Sequence, residues 1–165
     1  MGLLRAHIFG VVLLFSSLWI CAGDSAGAQR AHPVLVIVGA SLTATDIGVG
    51  KLRTVFQSQA ADLNGVRLIP FNLPVGTPAR QIVDKAVLGL GPDRVGSFWV
   101  DQRVRSGLNP PRTISTPEML MRVVASMRGA ISYVQMNPTA VPAGLRVLTV
   151  DGKGPTDSAY LLQSR

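Results

Sequence analysis

No stretch narrows the possible folds of this chain more than residues 66–89, VRLIPFNLPVGTPARQIVDKAVLG. Residues 66–71 are β-branched and apolar, which predicts a strand. Pro74 and Gly76 then punctuate a tight loop. Thr77 suits a helix N-cap. Pro78 suits the first helical position, where its fixed φ fits and its missing N–H has no helical partner to lose. Ile82, Val83, Ala86 and Val87 follow at helical spacing, and Gly89 can end the helix in a left-handed cap. A loop of this kind aims free backbone N–H groups and the positive end of a helix dipole at one point, where an oxyanion can bind. Many α/β domains carry such turns without a ligand, and on local residues alone the plain structural turn is the stronger reading.

The rest of the chain supplies the partners for this unit. PVLVIV, residues 33–38, is an unbroken apolar run and reads as a buried central strand of the kind parallel sheets use. Thr43 and Asp46 bracket cap residues for a short helix over 47–56, with Leu52, Val55 and Phe56 on its buried face. Asn64 and Gly65 turn the chain into the strand at 66–71. A further helix starts at Pro92 and closes at Gly107, with Val95, Phe98 and Trp99 on one face; Trp99 is expected in the core with its indole N–H satisfied. Residues 115–118 are consistent with a capping box, and Leu120, Val123, Val124 and Met127 make the apolar stripe behind it. Strands are expected over 130–134 and 145–150, and Tyr160, Leu161 and Leu162 form a last apolar patch that reads as a short strand. Strands alternating with helices predict an α/β fold, a mixed sheet flanked by helices.

The front of the chain is different. Residues 1–7 carry Arg5, residues 8–20 are apolar over signal-peptide length, and Ala26, Gly27 and Ala28 offer a small-residue cleavage site. The expectation is a signal peptide over residues 1–28 and one domain over 29–165, with an uncleaved anchor as the runner-up. A lipoprotein at Cys21 is disfavoured by the bulky Trp19 and Ile20 before it. Cleavage removes Cys21 and His7, leaving no cysteine and only His32, near the new terminus. That argues against a thiol nucleophile, a disulfide framework and a multi-His zinc site. The carboxylates are spread thinly, without DxD, ExxH or ExxE spacing. No catalytic residue, metal ligand or cofactor is therefore expected, and the chain does not read as an enzyme. Its formal charge is +7, carried mostly by scattered arginines. Without a basic run or interleaved aromatics this does not read as nucleic-acid binding.

In order, these pieces resemble a known family. LRTVF (residues 52–56) is similar to a helix of the phosphate ABC transporter substrate-binding proteins, and NGVRLIPF (64–71) to the turn and strand that follow it there. GTPAR leading to VLG (76–89) resembles the family's next loop and helix. SFWVDQRVRSG (97–107) resembles its aromatic helix ending in glycine. STPEMLMRVVASMRGAISYV (115–134) resembles its helix, turn and GAIGYV strand, with Ser132 for the second glycine, and LRVLTVDGKGPT (145–156) a later strand and turn. Full members have two lobes. This chain has room for roughly one and looks like the short, single-domain relatives.

The resemblance implies a single periplasmic-binding-protein-like lobe with a mixed, mostly parallel sheet flanked by helices. It implies an exported, non-catalytic solute-binding protein in the periplasm, a monomer that holds a small oxyanion such as phosphate. The family's anion loop carries Arg, Asp and Ser before its Gly-Thr pair. Here Phe71, Leu73 and Val75 stand at those positions, leaving backbone amides at Gly76, Thr77 and the side chain of Arg80. Ser41, after the first strand, is expected to face the same crevice, since ligands sit beyond strand ends. Each has a plain alternative: Ser41 as a loop residue leading into a helix, Arg80 as a helix-face partner of Asp84 at i+4. The alternative function is a periplasmic interaction module that keeps the fold and docks on a membrane sensor or transport component.

Overall fold

The structure, a computed structural model, describes residues 32–163. The expected signal peptide lies outside them. Along the chain come β1 (Val34–Gly39), β2 (Asp46–Ile47), α1 (Val49–Phe56), β3 (Asp62–Leu63), β4 (Val66–Arg67), β5 (Ile69–Asn72) and α2 (Pro78–Val83), which runs on as a π-helical turn over Asp84–Leu88. Then follow α3 (Pro92–Ser106), β6 (Arg112–Thr113), α4 (Pro117–Ser126), β7 (Ala130–Gln135) and β8 (Leu145–Val150).

The apolar run at the front becomes β1, and every one of its residues is buried. A strand buried on both faces needs neighbours on both edges and layers above and below. It finds them in a six-stranded sheet of order β2-β8-β1-β7-β5-β6. The sheet is mixed. β2-β8, β7-β5 and β5-β6 are parallel, while β1 runs antiparallel to both β7 and β8. The parallel setting expected of β1 is therefore replaced by an antiparallel one. An apolar run reports burial but not the direction of its neighbours.

Helices cover both faces. On one, α1 sets Phe56 against Tyr133 of β7, with ring centroids 5.4 Å apart and planes tilted by 58°. Leu52, Val55 and Phe56 are buried, as the spacing requires. On the other face α4 lies so close to β1 that a Cβ at Gly39 would stand 3.0 Å from the Val124 carbonyl oxygen. The N-cap of α4 is Thr116, whose Oγ1 accepts from the Met119 N–H at 3.2 Å, one residue beyond the expected Ser115. α1 begins at Gly48 without a side-chain cap of its own. The Asp151 carboxylate, from the turn after β8, accepts from the Val49 N–H at 3.0 Å and takes that role.

The strand expected over 66–71 is broken in two. Val66 and Arg67 turn back through Asn64 and Gly65, both at positive φ, to pair with Leu63 and Asp62. Only Ile69–Asn72 joins the main sheet. The C-terminal patch forms no strand. Tyr160 and Leu162 are buried against the start of β1, where the Val34 N–H donates to the Leu162 carbonyl at 3.0 Å and the Tyr160 hydroxyl donates to the Val34 carbonyl at 2.9 Å.

α3 stands apart. Leu90, Val95 and Trp99 form a small cluster of their own, joined by Leu88 and Phe98. Trp99 is 7% exposed, yet its Nε1 is without a partner among the described residues, against the satisfied indole expected from the sequence. Among the described residues no helix is long and apolar enough to cross a membrane.

Candidate functional site

The loop between β5 and α2 sits at the carboxyl end of a parallel strand pair, where open α/β sheets place their ligands. Gly76 adopts φ 91°, a left-handed conformation that favours glycine. Thr77 is the N-cap by position, but its hydroxyl does not cap the helix; it donates back to the Pro74 carbonyl at 2.9 Å, and its N–H donates to the same oxygen at 3.2 Å. The turn is therefore closed on itself. The first-turn N–H groups of Ala79 and Arg80 have no intrahelical acceptor, since the first helical bond runs from the Gln81 N–H to the Thr77 carbonyl. These amides are what the loop offers an anion.

Beneath the loop lies a polar cluster that the sequence reading had only in part. Arg80 is 2% exposed and Asp84 is 4% exposed. The Arg80 Nε donates to both Asp84 carboxylate oxygens at 2.8 Å, and its Nη1 donates to the Leu73 carbonyl at 3.3 Å. The i+4 pairing with Asp84 is present, but it is buried, not solvated. Burial pushes the Asp84 carboxyl above the ordinary carboxylate range, and the Arg80 charge pulls it back only in part. Next to the pair the Tyr133 hydroxyl donates to Asn72 Oδ1 at 3.2 Å, and on the other face of β7 the Ser132 hydroxyl donates to the Phe71 carbonyl at 2.7 Å. Burial moves the Tyr133 hydroxyl pKa well upward, so it stays a neutral donor. Ser132 and Tyr133 fall in the strand expected over 130–134, Ser132 at the place of the family's second glycine, and Asn72 falls one residue beyond the strand expected over 66–71. Their joint effect is to hold the end of β5 and the loop carbonyls in place from inside.

Arg80 thus positions the loop, with its guanidinium turned into the protein. Gly76, Thr77 and Arg80 are brought together at this end of the sheet. Ser41 is not. β1 runs antiparallel to β7, and β7 runs parallel to β5, so the carboxyl end of β1 lies at the amino end of β5. The cross-sheet row Val38, Ile131, Pro70 fixes this register. Ser41 therefore lies beyond the opposite end of the sheet from Thr77, exposed, with its Oγ near Gly39. The expectation that both face one crevice assumed a parallel β1, and it falls with that assumption. Among the described residues no group of three or more His, Cys, Asp or Glu side chains is placed to hold a metal ion.

A mixed sheet with these helices, in this order, has the architecture of one lobe of a periplasmic binding protein. Among the solved structures that share this fold are proteins of phosphate transport. The chain is similar to an ABC-type phosphate transport receptor from Vibrio cholerae, at 10% identity and TM-score 0.59, over 77% of this chain and 49% of that one. It is similar to a putative phosphate ABC transporter substrate-binding protein with bound phosphate from Clostridium perfringens, at 12% identity and TM-score 0.60, over 77% of this chain and 48% of that one. PstS from Borrelia burgdorferi matches at 11% identity and TM-score 0.60, over 82% of this chain and 56% of that one. The chain spans about half the length of these neighbours, and at such identity the likeness is one of fold. The sequence matches no protein-family model and no curated protein.

Proposed function

We propose that the chain is an exported, non-catalytic binding protein of the phosphate-transporter type, and that it holds a small oxyanion such as phosphate on the backbone amides at the start of α2. Residues 1–28 are the signal peptide in this reading, residues 29–165 the domain, and the periplasm its compartment. The observation that carries it is the loop itself. Its free first-turn amides stand at the carboxyl end of β5, and the buried Arg80 bonded to the Leu73 carbonyl keeps the loop from collapsing. The likeness to phosphate-binding lobes supports the choice of anion. Fold alone does not fix function, so the loop geometry has to carry the assignment.

Calorimetric titration with phosphate, and with sulfate as a control, tests this. Val75 is 68% exposed beside the loop. Val75→Asp places a negative charge there without disturbing the core. Saturable heat that Val75→Asp abolishes is the expected result, with a melting shift that follows mass action. No heat at millimolar phosphate, or heat unchanged by Val75→Asp, rejects the reading.

One observation favours a second reading. No side chain of the loop is free to reach an anion: the Thr77 hydroxyl is tied to Pro74, and Arg80 to Asp84 and Leu73. An accessory module that docks on a membrane transport or sensor component retains the fold without needing those ligands. Capture of such a component from envelope membranes by the Val75→Asp variant as well as by the wild type is the result expected of that reading.

A further inference from the structure

The opposite end of the sheet holds a cleft of about 440 Å³. It opens where β4 passes into β5 and where the chain enters β6, and Met127 closes one side. This is the size range of small-molecule sites. Its wall is mostly apolar, with Ile69, Phe71, Pro111 and Met127, and Ile69 and Met127 are each 41% exposed. Large apolar side chains left open to water in a concave surface point to an apolar occupant.

Two arginines line the same cleft from different strands, Arg67 on β4 and Arg112 on β6. No carboxylate lines it. Elsewhere the arginines with side-chain hydrogen bonds are spent on the protein itself, Arg53 on the Val87 carbonyl and Arg80 on Asp84. Arg67 and Arg112 make no side-chain hydrogen bond and no ion pair among the described residues; even Asp62, which faces Arg67 across the hairpin, forms none. The floor is rigid. The Ile69 N–H donates to the Gly129 carbonyl at 2.8 Å, and a Cβ at Gly129 would stand 2.2 Å from the Arg67 carbonyl oxygen, so the two segments are in the closest contact backbone allows.

We infer that this cleft is a second ligand site, separate from the α2 loop, and that it takes a small amphipathic organic anion. The carboxylate or sulfonate is held by Arg67 and Arg112, and the apolar body lies on Ile69, Phe71 and Met127. Guanidinium groups match such headgroups in charge and offer paired N–H donors to two of their oxygens. The apolar wall explains why a bare inorganic anion is a poor fit.

The test is a fluorescence titration of the protein with 1-anilinonaphthalene-8-sulfonate, competed with octanoate, octanol and inorganic phosphate. Saturable one-to-one binding is expected. Octanoate displaces the probe, while octanol and phosphate at the same concentration do not. Arg67→Ser with Arg112→Ser weakens binding at least about tenfold, the loss expected when charge-assisted contacts are removed. Met127→Glu, which leaves both arginines in place, weakens it similarly by setting a carboxylate in the cleft. Val75→Asp, at the other end of the sheet, leaves it unchanged, so failure of the phosphate reading and failure of this one are told apart. Binding that does not saturate, survives both sets of substitutions, or is displaced equally by octanol or by phosphate overturns the inference. Thermal melts check that each variant is folded, and Met127→Glu alone decides if the double variant is not.

Discussion

The two ends of the sheet use arginine in opposite ways. At the carboxyl end of β5, Arg80 is buried, bound to Asp84 and turned inward to hold a loop. At the cleft, Arg67 and Arg112 are exposed, unpaired among the described residues, and line an apolar wall. The same side chain is a structural strut in one place and a free charge in the other. What decides is burial: Arg80, enclosed, is satisfied by a carboxylate one turn along α2 and a strand-end carbonyl, while Arg67, although Asp62 faces it across the hairpin, and Arg112 form no such bond among the described residues. A buried charge must be compensated internally, whereas an exposed one is left to solvent or a ligand.

Four substitutions measure that difference, taken from the greatest effect down. Asp84→Ala leaves the Arg80 guanidinium buried and uncompensated, and is expected to destabilise the fold by about 3–5 kcal/mol in urea unfolding. A small loss would show that the guanidinium escapes to solvent and that the two ends are alike. Gly129→Ala strikes the other end. It forces a side chain onto a residue at φ 81° and into the Arg67 carbonyl, for a loss of about 1–3 kcal/mol from the backbone conformation alone. Arg112→Ala touches an exposed residue without partners, and its unfolding midpoint is expected to move by no more than about 0.5 kcal/mol. Any larger loss would mean that the free arginine is a strut after all.

The least effect is expected at Asp46, on the far edge of the sheet. Its carboxylate accepts from the Thr149 hydroxyl and the Gly152 N–H, and these bonds hold its pKa below the ordinary value. The stabilisation is present above the unfolded-state value of about 3.9 and is lost as pH falls through the lower folded value. Asp46→Asn should therefore change stability by less than about 0.5 kcal/mol at neutral pH, and flatten the acid limb of the stability curve. An acid limb identical to the wild type would remove Asp46 from the account.

Much of the fold was legible in residues that punctuate the chain. Gly89 and Gly107 do end their helices in the left-handed conformation, and Pro78 and Pro92 do sit at the first helical turn. These are local signals, and local physics sets them. Partnership was not legible. The apolar run of β1 announces burial but is silent on strand direction, and Ser41 was placed at the wrong end for that reason alone. The break between β4 and β5 follows from Gly129, sixty residues on in sequence, whose carbonyl takes the Ile69 N–H. Arg80 was legible as a partner of Asp84, but its burial was not, because it depends on β7 lying over the pair. The cleft at Arg67 and Arg112 left no sequence signal, since two strands of different sheets, β4 and β6, far apart in sequence, supply its two charges.

The position of β1 has one more consequence. Its two neighbours, β7 and β8, begin at Ala130 and Leu145, so the most apolar strand of the protein waits for the last third of the chain before either edge is paired. Even the cap of α1 comes from Asp151. Loop closure over such distances is slow, and an unpaired apolar strand is the kind of segment that associates with other chains. Until residue 150 is available, VLVIVG keeps an open, sticky edge, and whatever keeps the growing chain from its neighbours has to work until then.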